Sequence, residues 1–329
     1  MKVDNKLNEL LHIEFPVIMA PMFLVSNLEM MKAGIRAGVM ATFPTLNYRK
    51  EGELEKILDE LNEYCKQFKG SYGVNIIVQK SNPMSTKHTQ ICLAKKVPFF
   101  ITSLGNPKEV IDGAHLYGGK VFCDVTNLEH AKKCFNNNCD GFIAVGQGAG
   151  GHAGDNPLQV LVPALKEHFP TTPIIAAGGI TNGAGLLSVQ VLGASGVSIG
   201  TRFIATTEAG VNDNYKNAIV SSGMEDIVMT TKLSGTPCSV INNEAAKKMG
   251  YTQNWFEKFL SSNSSTKKWF KMLIQIRGMK KLEKSVLPNN YLSLWTAGKS
   301  SELIHDIITC EQVVERIKNE YDTSLKQLM

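Results

Sequence analysis

No stretch of this 329-residue chain approaches the roughly 18 consecutive apolar residues that a bilayer-spanning helix needs. The first fifteen residues, MKVDNKLNELLHIEF, lack the apolar core of a secretory leader, so a cytoplasmic protein is expected. The seven cysteines (Cys65, Cys92, Cys123, Cys134, Cys139, Cys238, Cys310) include no C-x-x-C pair. Scattered and odd in number, they indicate neither a zinc site nor a disulfide framework, and most are expected as small buried hydrophobes. H-E-x-x-H and H-x-H are absent, which argues against a metal site, and so is the G-x-S-x-G of a serine hydrolase. No G-x-G-x-x-G follows any of the first three strand candidates, which argues against an open dinucleotide-binding sheet. Acidic charge is scarce in one place: between Lys247 and Lys284 ten basic residues face only Glu257 and Glu283. Aromatic residues at helix-like spacing interleave with them, so a solvated helical face is favoured over a surface for nucleic acid.

What is present reads as a soluble globular protein, 43% hydrophobic and 20% charged. Eight apolar runs of about six residues recur along the first two-thirds: PVIMAP (16–21), VMATF (39–43), YGVNIIV (72–78), PFFITS (98–103), KVFCDV (120–125), GFIAVG (141–146), PIIAAGG (173–179) and GVSIGTRF (196–203). Continuous apolarity is what strands buried on both faces require. Helical segments such as SNLEMMKAGIRAG alternate with them; Ser26 and Asn127 stand at N-cap positions and Gly38 at a C-terminal stop. Eight such units in series predict a (β/α)8 TIM barrel over residues 1–210. Beyond it a mainly helical, basic subdomain is expected over 211–290, with DIVMTTKL (226–233) its one extended candidate. A helical segment over 291–329 is expected to pack on the barrel.

In such a barrel chemistry collects at the C-terminal ends of the strands. These ends carry Ala20, Pro21 and Met22 after the first strand, Asn75 on the third, and GQGAGGHAG (146–154) after the sixth. Gly178 and Gly179 follow the seventh, and Gly200 and Thr201 the eighth. Glycines on two adjacent turns let backbone N–H groups approach an anion, and the Thr201 hydroxyl adds a donor. A phosphate site there, beside an apolar mouth and an amide, suits a flat phosphorylated cofactor such as FMN. Gly148, Gly150 and Gly151 would then lay the sixth loop against the ring, and His152 would project over it as a base or hydrogen-bond donor. The other histidines (His12, His88, His115, His130, His168, His305) sit on helical or terminal segments and are expected in the core or in solvent. Cys123 is expected to fill the core rather than face a flavin.

Taken together, PVIMAPM, GVN, GAGGHAG, PIIAAGGITNG and GASGVSIGTRF resemble, in order, the nitronate monooxygenases, or 2-nitropropane dioxygenases; LWTAGKSSELIHDI (294–307) resembles that family's C-terminal signature. The flavin-dependent enoyl-acyl-carrier-protein reductases share the G-G-H loop. The resemblance implies an FMN-containing barrel with His152 as catalytic base. It puts Ala20, Pro21, Met22 and Asn75 at the ring, and Gly150, Gly151, Gly178, Gly179, Ser198, Ile199, Gly200 and Thr201 around the ribityl phosphate. Two positions depart from the family pattern: Val145 replaces a frequent glutamine and Gly148 a frequent glutamate. The implied reaction oxidises a nitronate, or a nitroalkane after deprotonation, with O₂ to a carbonyl compound and nitrite. Two other readings are an NAD(P)H-dependent enoyl-acyl-carrier-protein reductase, whose acidic carrier protein the basic segment would suit, and a binding barrel without catalysis. A small-molecule substrate is implied, with no nucleic acid and no membrane.

Overall fold

The computed structural model describes residues 6–79, 82–233, 236–252 and 294–328. Most of the basic segment, Lys258 to Lys284, lies outside them. Eight parallel strands close into a barrel in chain order: β1 (Val17–Met19), β2 (Met40–Pro44), β3 (Ser71–Ile77), β4 (Phe99–Ser103), β5 (Lys120–Val125), β6 (Gly141–Val145), then β8 (Ile174–Ala177) and β9 (Gly196–Ile199). A two-residue strand, β7 (Gly151–His152), falls between β6 and β8 and belongs to another sheet. The seam closes where Ile18 of β1 pairs with Met40 of β2 and with Ser198 of β9.

Side chains alternate across the barrel wall. Ile18, Met40, Phe99, Ile101, Phe122, Ile143 and Ile175 fill the interior, and Leu7 and Leu11 of α1 (Lys6–Leu11) plug its N-terminal end. Their neighbours, such as Tyr72, Val74, Cys123 and Val197, point outward into the helical layer. That layer comprises α2 (Leu28–Arg36), α3 (Glu53–Cys65), α4 (Ser85–Ala94), α5 (Lys108–His115), α6 (Leu128–Phe135), α7 (Leu158–His168) and α8 (Gly183–Val191). The helix Cys310–Leu328 packs on both α8 and α2. It therefore occupies the place of the eighth barrel helix, although a long excursion separates it from β9.

Three local details differ from the sequence reading. Asn27, not Ser26, caps α2: its side chain accepts the Met30 N–H at 2.9 Å, while the Ser26 hydroxyl accepts from Met22 N–H at 3.1 Å within the preceding loop. Thr201–Ile204 turns into a short helix, α9, instead of continuing β9. The region after the barrel supplies α10 (Asp213–Ser221), then a hairpin of β10 (Ile227–Thr230) and β11 (Cys238–Ile241) before α11 (Glu244–Met249). Only β10 falls in the extended candidate; β11 was not anticipated.

Candidate active site

One layer above the apolar interior, every strand but β2 presents a further inward residue to the barrel mouth. Alternation brings Ala20, Asn75, Ser103, Asp124, Val145, Ala177 and Ser198 to this rim. On one side the rim is polar and connected. The Asn75 amide donates to the Ile101 carbonyl at 3.1 Å and to the Ser103 hydroxyl at 2.8 Å. Ser103 in turn donates to the Asp124 carboxyl at 2.5 Å. Burial pushes that carboxyl up to about 6, against the opposing pull of the Ser103 bond. Reading the sequence found Asn75 but missed Ser103 and Asp124. The signal was available: each is the single polar residue two places beyond an inward-facing apolar one, Ile101 and Phe122. Cys123 points the other way, its thiol 3.2 Å from the Thr102 hydroxyl in the outer layer, as expected of core filling.

The other side of the mouth is built from glycine turns in close contact. Gly178 and Gly179 both adopt left-handed φ, +120° and +76°. A Cβ on Gly178 would stand 2.7 Å from the Ala149 nitrogen, and one on Gly148 3.1 Å from the Gly179 nitrogen. Gly148 thus lets the two turns touch where the family pattern carries a larger residue. Gly150 is pressed against Gly298 and Thr201; a Cβ there would lie 2.7 Å from the Gly298 nitrogen and 2.9 Å from the Thr201 hydroxyl oxygen. Thr201 itself accepts from the Gly298 N–H at 3.1 Å, which leaves its hydroxyl hydrogen to donate elsewhere. Gly200 is different: a Cβ on it would meet only Ala20 at 3.6 Å and the Met22 sulfur at 3.8 Å, both ordinary contacts. The first, sixth, seventh and eighth loops therefore converge as expected, together with the 294–307 motif. Ile199 contributes backbone alone, accepting the Ala20 N–H at 2.9 Å while its side chain is buried in the outer layer. Pro21 lies between Ala20 and Met22, half-buried.

His152 does not ride on a floppy loop. Its backbone is strand β7, antiparallel to β11, with His152 opposite Cys238 and Gly151 opposite Ser239. Gly151 reaches this strand through a φ of +71°. The residue as a whole is exposed to solvent. Burial of the ring against the neighbouring protein lowers its pKa below the usual imidazole value, which favours the neutral form. A neutral imidazole can accept a proton or donate a hydrogen bond. Of the other histidines, His88 is buried in α4 and His115 meets Asp140 at 2.8 Å, far from this mouth in the chain and on the helical layer.

Glycine turns converge at the C-terminal ends of a parallel barrel, beside the short strand that carries the histidine, and the comparisons with known proteins make the chain a flavin-dependent oxidoreductase. The sequence pattern of the nitronate monooxygenase family matches residues 45–320, so the chain belongs to that family. It is similar to a probable nitronate monooxygenase of Staphylococcus haemolyticus, 28% identical over 294 residues, 76% of this chain and 81% of that one. It is also similar to a (3aS,4S,5R,7aS)-5-hydroxy-7a-methyl-1-oxo-octahydro-1H-indene-4-carboxyl-CoA dehydrogenase of Mycobacterium tuberculosis, 28% identical over 255 residues, 76% of this chain and 69% of that one. The solved structure of FabK from Thermotoga maritima superposes with a TM-score of 0.84 at 28% identity, covering 99% of both chains. The family membership makes the chain an enzyme rather than a binding barrel. No helix among the described residues is long and apolar enough to cross a membrane.

Proposed function

We propose that this enzyme binds FMN in the barrel mouth and oxidises nitroalkanes and their nitronates with O₂ to a carbonyl compound and nitrite. What supports this reading is that His152 is held in β7 against β11, two residues beyond Gly150, whose turn is packed against Thr201 and Gly298 at the barrel mouth. The cradle fits a phosphorylated, flat group. Consecutive left-handed glycines at 178 and 179 form a turn that offers backbone N–H groups to an anion, and Ser198 and Thr201 add hydroxyl donors beside it. Beside Gly200, among the described residues, a Cβ would meet only the apolar side chains of Ala20 and Met22 within 4 Å. Asn75 would meet the ring edge from the opposite side of the rim. When bound, FMN supplies the electron transfer between substrate and O₂.

The chain's own contribution is proton handling and orientation. For a neutral nitroalkane, the His152 imidazole takes a proton from the carbon bearing the nitro group; that C–H bond breaks and its electron pair delocalises onto the nitro oxygens. For a preformed nitronate, the same ring is a hydrogen-bonding partner. Gly148 and Gly150 keep the sixth loop tight against the seventh turn and the 294–307 segment, which fixes the strand that carries the histidine. The seven free thiols support a cytoplasmic setting.

A second reading, an NAD(P)H-dependent enoyl-thioester reductase, is supported by the full-length likeness to FabK and by the carboxyl-CoA in the mycobacterial relative's name. Anaerobic titration of the flavin-loaded protein decides between the two. Bleaching of the visible flavin band by ethyl nitronate but not by NADH or NADPH is expected. Bleaching by a reduced nicotinamide alone moves the assignment to the reductase, and a protein that cannot be loaded with FMN sinks both.

A further inference from the structure

Three of the seven thiols meet behind the barrel wall, and the reaction as described uses none of them. Alternation along β5 sends Phe122 into the interior and Asp124 to the mouth, so Cys123 points outward beneath α6. On α6, Ala131 and Cys134 are the buried residues, three apart on the face that packs against β5. The turn after this helix brings in a third sulfur. Asn137 and Cys139 both donate their N–H to the Cys134 carbonyl, at 3.0 and 3.5 Å, and Asn138 between them takes a left-handed φ of +63°. The Cys123 thiol consequently lies within hydrogen-bonding reach of both Cys134 and Cys139, and the Thr102 hydroxyl stands 3.2 Å from it. No group of three or more histidines, cysteines or carboxylates among the described residues is placed to hold a metal ion, which leaves redox chemistry between the sulfurs.

The three sulfurs differ in access. Cys123 is 1% exposed and Cys134 9%, whereas Cys139 is half-buried. Against the opposing bond from Cys134, the bond to Cys139 and burial push the Cys123 thiol up; the bond to Cys123 and burial do the same to Cys134. Both inner sulfurs are thus held as neutral thiols, and a solvent-borne oxidant meets the outer one first. We propose that these cysteines form a peroxide-reactive site, in which Cys139 takes the oxidant and Cys123 closes a reversible Cys123–Cys139 disulfide. The Cys139 thiolate attacks one oxygen of hydrogen peroxide: an S–O bond forms, the O–O bond breaks, and the departing hydroxide leaves as water with the proton that Cys139 released. The Cys123 sulfur then attacks the sulfenic sulfur of Cys139. Its S–H bond and the S–OH bond break, an S–S bond forms, and the thiol proton leaves with the hydroxyl as a second water. Two thiols lose two electrons and one peroxide gains them, while Cys134 is not consumed. The inference is independent of the proposed function, because the site lies on the outer side of β5 and uses neither flavin nor nitroalkane.

The test is made on the full chain with hydrogen peroxide as the probe. After exposure to a roughly ten-fold molar excess of peroxide, remaining thiols are blocked with N-ethylmaleimide, and the protein is digested without reductant for peptide mass mapping. A peptide pair joined through Cys123 and Cys139 is expected, and dithiothreitol should return both as free thiols; Cys65, Cys92, Cys238 and Cys310 should stay reduced. A variant at the half-buried turn spares the core: in Cys139→Ser, oxidation of Cys123 is expected to slow by at least about ten-fold. Recovery of Cys139 as a free thiol overturns the proposal, and so does a link that joins Cys123 to Cys134 or forms only between chains. Equal rates of Cys123 oxidation in the wild type and Cys139→Ser overturn it as well. None of these readings involves flavin reduction, so they are separate from whether ethyl nitronate bleaches the flavin.

Discussion

At the scale of single residues, His152 and Asp124 are pushed toward one another. Burial lowers the imidazole of His152 and raises the carboxyl of Asp124 to about 6. For the imidazole the neutral form is the working base, so turnover of a nitroalkane should hold its plateau below the usual histidine value and fall only on further acidification. His152→Ala should lower kcat by roughly 10²–10⁴ and abolish that acid limb, which a pH profile of kcat/KM reads directly. For Asp124 the sign is opposite to the usual carboxylate. An unfolded carboxyl ionises near 3.8, whereas the folded one stays protonated up to about 6. The folded state is therefore free of penalty below the unfolded value and progressively destabilised as pH rises through that window, by up to about 3 kcal/mol once both forms are ionised. Asp124→Asn should accordingly raise the unfolding midpoint at about pH 7.5 and leave it nearly unchanged at about pH 4. A variant that is less stable at both values would contradict a carboxyl whose pKa is raised in the folded state.

At the scale of elements, the glycine turns separate two kinds of requirement that a sequence alone runs together. Gly150 is glycine because protein presses on it: a Cβ there would lie 2.7 Å from the Gly298 nitrogen. Gly200 is glycine although a methyl group would meet only ordinary contacts, at a φ of −108° that alanine tolerates. Gly150→Ala should thus cost roughly 1–3 kcal/mol of stability through forced displacement of the 294–307 segment, and lose FMN as a consequence. Gly200→Ala should leave the melting temperature of the flavin-free protein within a degree or two and still weaken FMN binding by about ten-fold, if the open face beside it belongs to the cofactor. Fluorescence titration with FMN, paired with thermal melts, distinguishes the two. The barrel was legible because its eight strands are continuous apolar runs, each within a residue or two of its expected end except the last, where Thr201 begins α9. The sheet that holds His152 was not, because β7 is two residues long and pairs with a strand some 85 positions away, so no local periodicity records it. Asp124 was missed for a different reason: inside KVFCDV its place two residues beyond Phe122 points it inward, but that spacing carries meaning only once Phe122 is known to face the barrel interior.

At the scale of the whole molecule, the fold depends on an element that arrives last. The helix Cys310–Leu328 covers the gap between α8 and α2, the two helices flanking the β9–β1 seam. Its Val313, Val314, Ile317 and Tyr321 are buried, and Tyr321 meets the Phe15 ring edge-on at 6.0 Å. Glu320 accepts the N–H of Gly183 at 3.0 Å, capping the start of α8, and Glu311 pairs with Arg36 at the end of α2. Gly183 has no room for a side chain there, since a Cβ would strike the backbone of Tyr321. Burying four such side chains contributes roughly 6–12 kcal/mol, about the entire net stability of a typical domain. A chain ending at Thr309 should therefore fail to form the barrel at all: no cooperative urea transition, no flavin, and aggregation driven by the uncovered faces of α2 and α8. Ile317→Ala should give a graded version, losing about 2–5 kcal/mol with the flavin site intact in whatever fraction remains folded. If the truncated chain instead melts cooperatively within a few degrees of the full-length protein, the terminal helix is an accessory and the seam is held by β9 and β1 alone.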